Sequence, residues 1–448
     1  MQDISHIFKS YDIRGKVGTE LTSEVCQHIG RAFADWLPRE GVVAVGHDMR
    51  PDSADLANAF IEGLRQQGRD VWDVGRITSD MVYFAVGKFD LAGGAVITAS
   101  HNPGADNGIK LYRDQVVAVG LDAGLADIRD AVLAGTYKPK ASQLGNLTKR
   151  DISGDWVEHC LKFITSLKPF RIAIDNGNGM AGAILPLILP KLPLTVDEMY
   201  FEPDGTFPNH EANPQKIENL KDLIARVQEK GLDFGIAFDG DGDRAVFVDD
   251  RGRPVLGTDL MSIIAKYYLA KYPGSPIVHE VRTSRATQEI IKEAGGVPIR
   301  TKAGRVHIGR VMREKQAAFG GECTGHMFFK ENYDADSGLI TALVAMQAIS
   351  DDGRKLSEIV DECRRYPMIP ETNFEVSDPQ AVFAKLREAF KDGKQDELDG
   401  LTVEYPEGWF NIRASNTEPL LRLNAEAVNQ RDLDDIVARV QTIIKERL

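Results

Sequence analysis

Short apolar runs alternate with longer amphipathic stretches along most of this chain, the pattern of strands paired with helices in α/β units. Residues 42–46 predict a strand, 53–67 a helix with Ser53 as its N-cap, 70–74 a second strand and 91–97 a third. The rhythm returns at 171–174, a strand feeding the glycine-bearing turn DNGNGMAGA, and continues through a helix over 217–229 to a strand over 232–238. A third round has a helix over 258–268, a strand over 276–281, a helix over 284–294 and a further strand entering GGECTGH. Three such cycles predict three related α/β domains, over residues 1–150, 151–252 and 253–368. After Tyr366 the texture changes. YPMIPETNFEV reads as irregular, 379–390 as a helix, and three short strands precede a final helix, which predicts a smaller α+β domain over 369–448.

A chain of 448 residues is too long for one core, in keeping with several domains. Its net charge of −13 argues against nucleic acid or an anionic membrane as a partner, because both reward clustered Lys and Arg. An anionic substrate would need a local basic pocket. The four cysteines stand apart, without the CxxC spacing of a zinc site or the density of a disulfide framework, and this predicts a reducing cytoplasm. The N-terminal fifteen residues lack the apolar stretch of a signal peptide, and the greasiest run, MAGAILPLILP, is too short and too proline-broken to span a bilayer.

The most specific chemistry lies in FDGDGDRAVF. Extended backbone puts Asp239, Asp241 and Asp243 on one side, and Gly240 and Gly242 let the loop curl. Three converging carboxylates repel one another unless a cation sits among them, and a hard divalent ion such as Mg²⁺ is the natural occupant. A structural calcium loop or a solvated acidic turn are the alternatives; the EF-hand pattern fails because Arg244 stands where its glycine belongs. Arg244 beside the carboxylates suits charge stabilisation at a transferring phosphoryl group, with a plain salt bridge as the other reading.

TASHNP ends a buried strand on a hydroxyl, an imidazole and an amide, and reads equally as a turn in which Ser, Asn and Pro do conformational work or as a loop that presents Ser100 as a candidate nucleophile. His101, the next residue of an extended loop, is expected to point away from Ser100, and the G-x-S-x-G elbow is absent, so a serine-hydrolase reading is disfavoured. Phosphoryl transfer asks less of a neighbouring base, and Lys110 on the following strand can exchange protons. YDIRG adds Tyr11 and Arg14, and RASNTEP offers Arg413, Ser415, Asn416 and Thr417 as a compact set of phosphate donors. Nothing matches the Walker loop, so nucleoside triphosphate binding is not indicated.

YDIRG, TASHNP, DGDGDR, GECTGH and RASNTEP occur in the order seen in the α-D-phosphohexomutase superfamily, and from Tyr11 to Pro419 the chain resembles its bacterial phosphomannomutase/phosphoglucomutase branch. The resemblance implies four domains around a central cleft, the fourth like the TATA-box-binding-protein fold, with one loop from each in the site. It implies that Ser100 is the phosphoserine, that Asp239, Asp241 and Asp243 hold Mg²⁺ with a Ser100 phosphate oxygen, and that Glu322 and Thr324 read the sugar. Arg413, Ser415, Asn416 and Thr417 would clamp the non-reacting phosphate, Lys110 and His326 would exchange protons, and Arg14 and Arg244 would offset charge. The implied reaction interconverts hexose 1-phosphate and 6-phosphate through a 1,6-bisphosphate, with glucose 1,6-bisphosphate as activator. A monomer is the expectation and a dimer the alternative. Four positions depart from the branch. Cys323-Thr324 stands where Met-Ser is common, Arg282 where a lysine is usual, and Arg305 where a histidine is usual, so substrate contact there would come from fixed cations. A phosphoglucosamine mutase, a metal-dependent phosphatase and a non-catalytic sugar-phosphate-binding module are the competing readings.

Overall fold

The computed structural model describes residues 3–376, 378–414 and 420–445. It holds four sheets, each built from one successive stretch of chain. The first runs in the order Ile13–Lys16, Asp106–Arg113, Gly93–Ile97, Val43–His47, Val71–Arg76 and Leu147–Lys149, with Val117–Ala118 beside Asp106–Arg113. Its interior strands pair in parallel, while Asp106–Arg113 runs antiparallel to both of its long neighbours. The second sheet is Ala245–Asp249, Phe234–Phe238, Phe170–Asp175 and Leu194–Met199; the third is Val297–Thr301, Pro276–Glu280, Phe319–Gly321, Met327–Phe329 and Ala335–Asp336.

These three sheets share one device. In each, a buried strand hydrogen-bonded to a parallel neighbour ends, turns, and comes back as an antiparallel strand: Gly93–Ile97 into Asp106–Arg113, Phe234–Phe238 into Ala245–Asp249, Phe319–Gly321 into Met327–Phe329. The turns carry TASHNP, DGDGDR and ECTGH respectively. Ligands of α/β sheets gather beyond the C-terminal ends of parallel strands, and all three loops start there.

The fourth sheet is wholly antiparallel, in the order Thr372–Glu375, Leu420–Ala427, Gly408–Ala414, Leu401–Tyr405 and Lys394–Asp396, covered by the helices Pro379–Ala389 and Gln430–Lys445. Four strands, not three, lie between those helices, and YPMIPETNFEV contains the strand Thr372–Glu375. That strand pairs with Leu420–Ala427 about fifty residues on, a partner the local pattern does not reveal.

Smaller differences have local causes. The predicted strands over 91–97 and 232–238 begin two residues later, because Leu91 N–H and Leu232 N–H close the preceding helices onto Val86 and Val227 carbonyls. The helix expected from 217 opens as a 3₁₀ turn over Ile217–Leu220 and becomes α only over Lys221–Lys230. Ser53 is not a cap: its hydroxyl donates to Asp48 at 2.5 Å, and the helix starts after Asp52.

One apolar core runs continuously through the first three sheets, joining Met81 and Phe84 with Trp156, Ile172 and Phe247 and with Ile264, Phe319 and Leu343. Smaller clusters fill the opposite face of each sheet. The fourth sheet has its own core, Phe390, Phe410, Ile412, Leu423 and Ile436 among it, and meets the third mostly through polar contacts.

Candidate functional site

The Ser100 loop is held rigidly. Ser100 has φ of 53°, the left-handed region that side-chain-bearing residues seldom enter, and its N–H donates to Thr98 Oγ1 at 2.9 Å. That twist breaks the extended alternation on which His101 was expected to point away. Instead His101 Nδ1 lies 3.1 Å from Ser100 Oγ and 2.5 Å from Arg244 Nη2. Arg14 reaches the loop through Ala99 carbonyl at 3.2 Å and through Asn102. Arg50, buried and paired with Asp48, ties four backbone carbonyls together: Ser100 at 2.9, Asn102 at 2.6, Pro103 at 2.7 and Asp106 at 2.8 Å. Sequence reasoning missed Arg50. Its signal was Asp48-Met49-Arg50 directly after the strand Val43–His47, at a parallel-strand C-terminus.

The DGDGDR loop meets the serine from the second sheet. Ser100 Oγ donates to Asp239 Oδ2 at 3.1 Å, and Arg244 Nε donates to the same oxygen at 2.9 Å. Lys110 Nζ lies 2.6 Å from Asp241 Oδ2 and 2.5 Å from Asp243 Oδ2. All three aspartates are fully buried, and each offers an oxygen within 4.8 Å of the others. Asp241 Oδ1 and Asp243 Oδ1 have no hydrogen-bond partner. Orphaned anionic oxygens cost too much to bury without an occupant, so the donor set fits a hard divalent cation. The glycines allow this closeness: a Cβ on Gly240 would fall 2.4 Å from Ser100 carbonyl O, and Gly242 has φ of +77°.

The charges sort accordingly. Burial pushes the Asp239 carboxyl up to about 7 even against Arg244. Burial would raise Asp241 and Asp243 as well, but the Lys110 ammonium holds both below the usual carboxylate range. Lys110 is driven the other way: burial would lower it, and the two carboxylates hold it well above the usual lysine value. As it stands Lys110 is a fixed cation rather than a ready base.

From the third sheet, Glu322 Oε2 accepts from Thr324 Oγ1 at 2.8 Å, while Glu322 Oε1 is buried without a partner. His326 Nδ1 lies 2.6 Å from Asp336 and 3.7 Å from Asp243, joining the ECTGH loop to the acidic loop. Gln215 of the second sheet's stretch donates to Thr324 carbonyl at 2.8 Å. Tyr11 donates its hydroxyl to Ala303 carbonyl at 2.9 Å, and burial pushes it up to about 12. Arg305 is turned into the protein. It donates to Tyr112 hydroxyl at 2.8 Å, Tyr83 hydroxyl at 3.3 Å and Tyr11 carbonyl at 3.0 Å, a staple between the first and third sheets.

Arg282 pairs with Glu280 at 3.0 Å and, with its other arm, with Glu371 at 3.1 Å. Glu371 also takes Arg413 at 3.2 Å, Arg422 at 3.3 Å and Asn424 at 3.1 Å. Burial would raise the Glu371 carboxyl, yet the Arg282 and Arg413 guanidinium groups hold it down to about 2. Sequence reasoning missed Glu371, which lies in the proline-bearing stretch read as irregular. Ser415, Asn416 and Thr417 lie outside the described residues. Cavities of 510 and 450 Å³ lie elsewhere, one beside His47 and Arg76, the other beside Lys162 and Tyr267, and neither includes a residue of the converging loops.

Four models of the phosphoglucomutase/phosphomannomutase family match in order: alpha/beta/alpha domain I over residues 5–136, domain II over 155–252, domain III over 257–366 and the C-terminal domain over 371–443. A protein called phosphohexose mutases from Xanthomonas campestris pv. campestris is 40% identical over 424 residues, 94% of each chain. A phosphomannomutase/phosphoglucomutase from Pseudomonas aeruginosa is 35% identical over 450 residues, 99% of this chain and 95% of its own. The crystal structure of a phosphoglucomutase/phosphomannomutase family protein from Burkholderia thailandensis superposes with a TM-score of 0.90 at 31% identity, covering 99% of this chain and 96% of that one. The chain belongs to the phosphoglucomutase/phosphomannomutase family. It is an enzyme, a phosphohexomutase, which moves a phosphoryl group between positions of a sugar.

Proposed function

We propose that Ser100 carries the phosphoryl group exchanged with hexose 1- and 6-phosphates of glucose or mannose, through a hexose 1,6-bisphosphate. The observation that carries this is the Ser100 Oγ to Asp239 contact of 3.1 Å inside a buried acidic triad with orphaned oxygens. Asp239, Asp241 and Asp243, with an oxygen of the phosphorylated Ser100, would hold Mg²⁺. Bound there, the cation supplies charge neutralisation at the transferring group.

The chain's own residues do the rest. Arg244 and Arg14 face the serine loop with guanidinium groups that offset phosphoryl charge. His101 is held at the nucleophilic oxygen, and the proton that leaves the attacking sugar hydroxyl passes to His326, because Lys110 is already a cation held by Asp241 and Asp243. Glu322, with one free buried oxygen, grips ring hydroxyls that present alike in both substrate orientations. Arg413 holds the phosphate at the far end, and Arg282 lies in the same cluster. Glucose 1,6-bisphosphate would restore enzyme that has lost its phosphate. The cysteines Cys26, Cys160, Cys323 and Cys363 are all free thiols, which supports a cytoplasmic setting, and no helix among the described residues is long and apolar enough to cross a membrane.

Phosphorus NMR with Mg²⁺ and a trace of glucose 1,6-bisphosphate tests the reading, with mannose, glucose and glucosamine 1-phosphates in separate tubes. The expected result is conversion of the mannose or glucose 1-phosphate signal to the 6-phosphate, and loss of at least about a thousandfold in rate for Ser100→Ala. Fastest turnover of the glucosamine tube would point to a phosphoglucosamine mutase. Release of inorganic phosphate, or three unchanged spectra, would overturn this reading of Ser100 and of the sugar substrate.

A further inference from the structure

Asp241 has its carboxylate set from outside its own sheet. Ser79, the first residue of the helix Ser79–Lys88 in the first sheet's stretch, donates its N–H to Asp241 carbonyl at 2.9 Å and its hydroxyl to Asp241 Oδ2. Oδ2 also receives Lys110, so the Asp241 oxygen left over is Oδ1, buried and unpartnered. Thr78 lies against the loop as well: a Cβ on Gly242 would fall 2.8 Å from Thr78 Cγ2.

The same segment is tied to the third sheet's stretch. Asp80 accepts from Thr78 Oγ1 at 2.5 Å and from Ser337 Oγ at 2.5 Å, and Ser337 in turn caps the helix Gly338–Asp352 by accepting from Ile340 N–H at 3.1 Å. The first residue of that helix presses on the acidic loop from the other side. A Cβ on Gly338 would fall 2.5 Å from Gly242 carbonyl O and 2.9 Å from Arg244 backbone. Ser79, Asp80, Asp241 and Ser337 are all fully buried.

We propose that Ser79 is a positioning residue for the cation site, fixing Asp241 so that Oδ1 faces the ion, and that the Thr78–Asp80–Ser337 clasp makes cation affinity a property of three domains rather than of the DGDGDR loop alone. The proposal rests on the reading that the aspartate triad holds a divalent cation. Partners that orient a metal ligand typically change affinity by about 10- to 100-fold when removed. Ser79 makes one side-chain bond to one of three ligands, so the lower end applies.

The test is titration of the full chain with Mg²⁺ and Mn²⁺ by calorimetry, for the parent and for Ser79→Ala. The expected result is a Kd raised about 10-fold in the variant, with a turnover defect at low Mg²⁺ that saturating Mg²⁺ abolishes and an unchanged KM for the sugar phosphate. An equal Kd in parent and variant overturns the proposal while leaving the triad as the cation site. A parent that binds neither ion overturns the cation reading and this proposal together. If Ser79→Ala does not fold, Ser79→Cys decides by the same outcomes, because a thiol fills nearly the same space but is a much weaker donor.

Discussion

His279 shows how one buried side chain ties folding to pH. It lies on the strand Pro276–Glu280 at 1% exposure, and burial lowers its pKa to about 4. An unfolded histidine takes a proton below about 6.5. The folded one refuses it until about 4. Stability from this group is therefore complete above pH 6.5 and lost as pH falls from there to about 4, a total of about 3 kcal/mol. Urea unfolding of the parent and of His279→Gln at pH 7 and pH 5 checks this. The parent is expected to lose more stability than the variant on acidification, and parallel losses would refute it. At this scale the residues contiguous in sequence were readable as candidates: Ser100 stands in TASHNP and the three aspartates in DGDGDR, and the fold brings these two loops together. Arg50, Ser79 and Glu371 were not. Each acts on partners tens of residues away or more, and of the three only Arg50, just past a parallel strand's C-terminal end, carried a local signal.

The helices Ser23–Trp36 and Ser53–Gln66 cross at two glycines. A Cβ on Gly63 would fall 2.1 Å from Gln27 carbonyl O, and one on Gly30 would fall 2.3 Å from Phe60 carbonyl O. Alanine is the better helix former by about 1 kcal/mol. Here the backbones must separate to admit it, and overpacking of this kind costs about 1–3 kcal/mol or more. Gly63→Ala is expected to lower the urea midpoint with the phosphoryl-transfer rate at saturating substrate retained; a higher midpoint would show that the crossing relaxes freely. The helix over 53–67 and the buried strands beside it came directly from the apolar pattern, whereas Ser23–Trp36 was not read as a helix. What the pattern could not supply was pairing. Thr372–Glu375 looks irregular because Pro367 and Pro370 precede it and its own residues are mostly polar, as suits an edge, and only its neighbour Leu420–Ala427 makes it a strand.

Across the whole molecule, the first three domains share one apolar core while the fourth keeps its own and is joined to the third by groups such as Arg285 with Glu426 and the carbonyls of Tyr405 and Pro406, Arg300 with Asp396, and Arg282 with Glu371. Polar contacts of this kind are screened by salt, and a separate core opens as a separate unit. Hydrogen exchange should show amides of Gly408–Ala414 opening at lower free energy than those of Phe234–Phe238, with the gap widening at high salt; uniform protection would mean the four domains unfold as one. The sequence by itself determined the alternation of strands and helices, the three repeated cycles and the reactive residue types. Each of these depends on neighbours within a few positions, where backbone geometry and side-chain period act. The tertiary structure alone decided that His101 turns toward Ser100, that Lys110 is a cation clamped by two aspartates, that Arg305 is spent inside on tyrosines, and that Ser79 holds Asp241. Those outcomes depend on burial and on partners from other domains. Desolvation and hydrogen-bond competition, which set charge and orientation, exist only once the chain is packed.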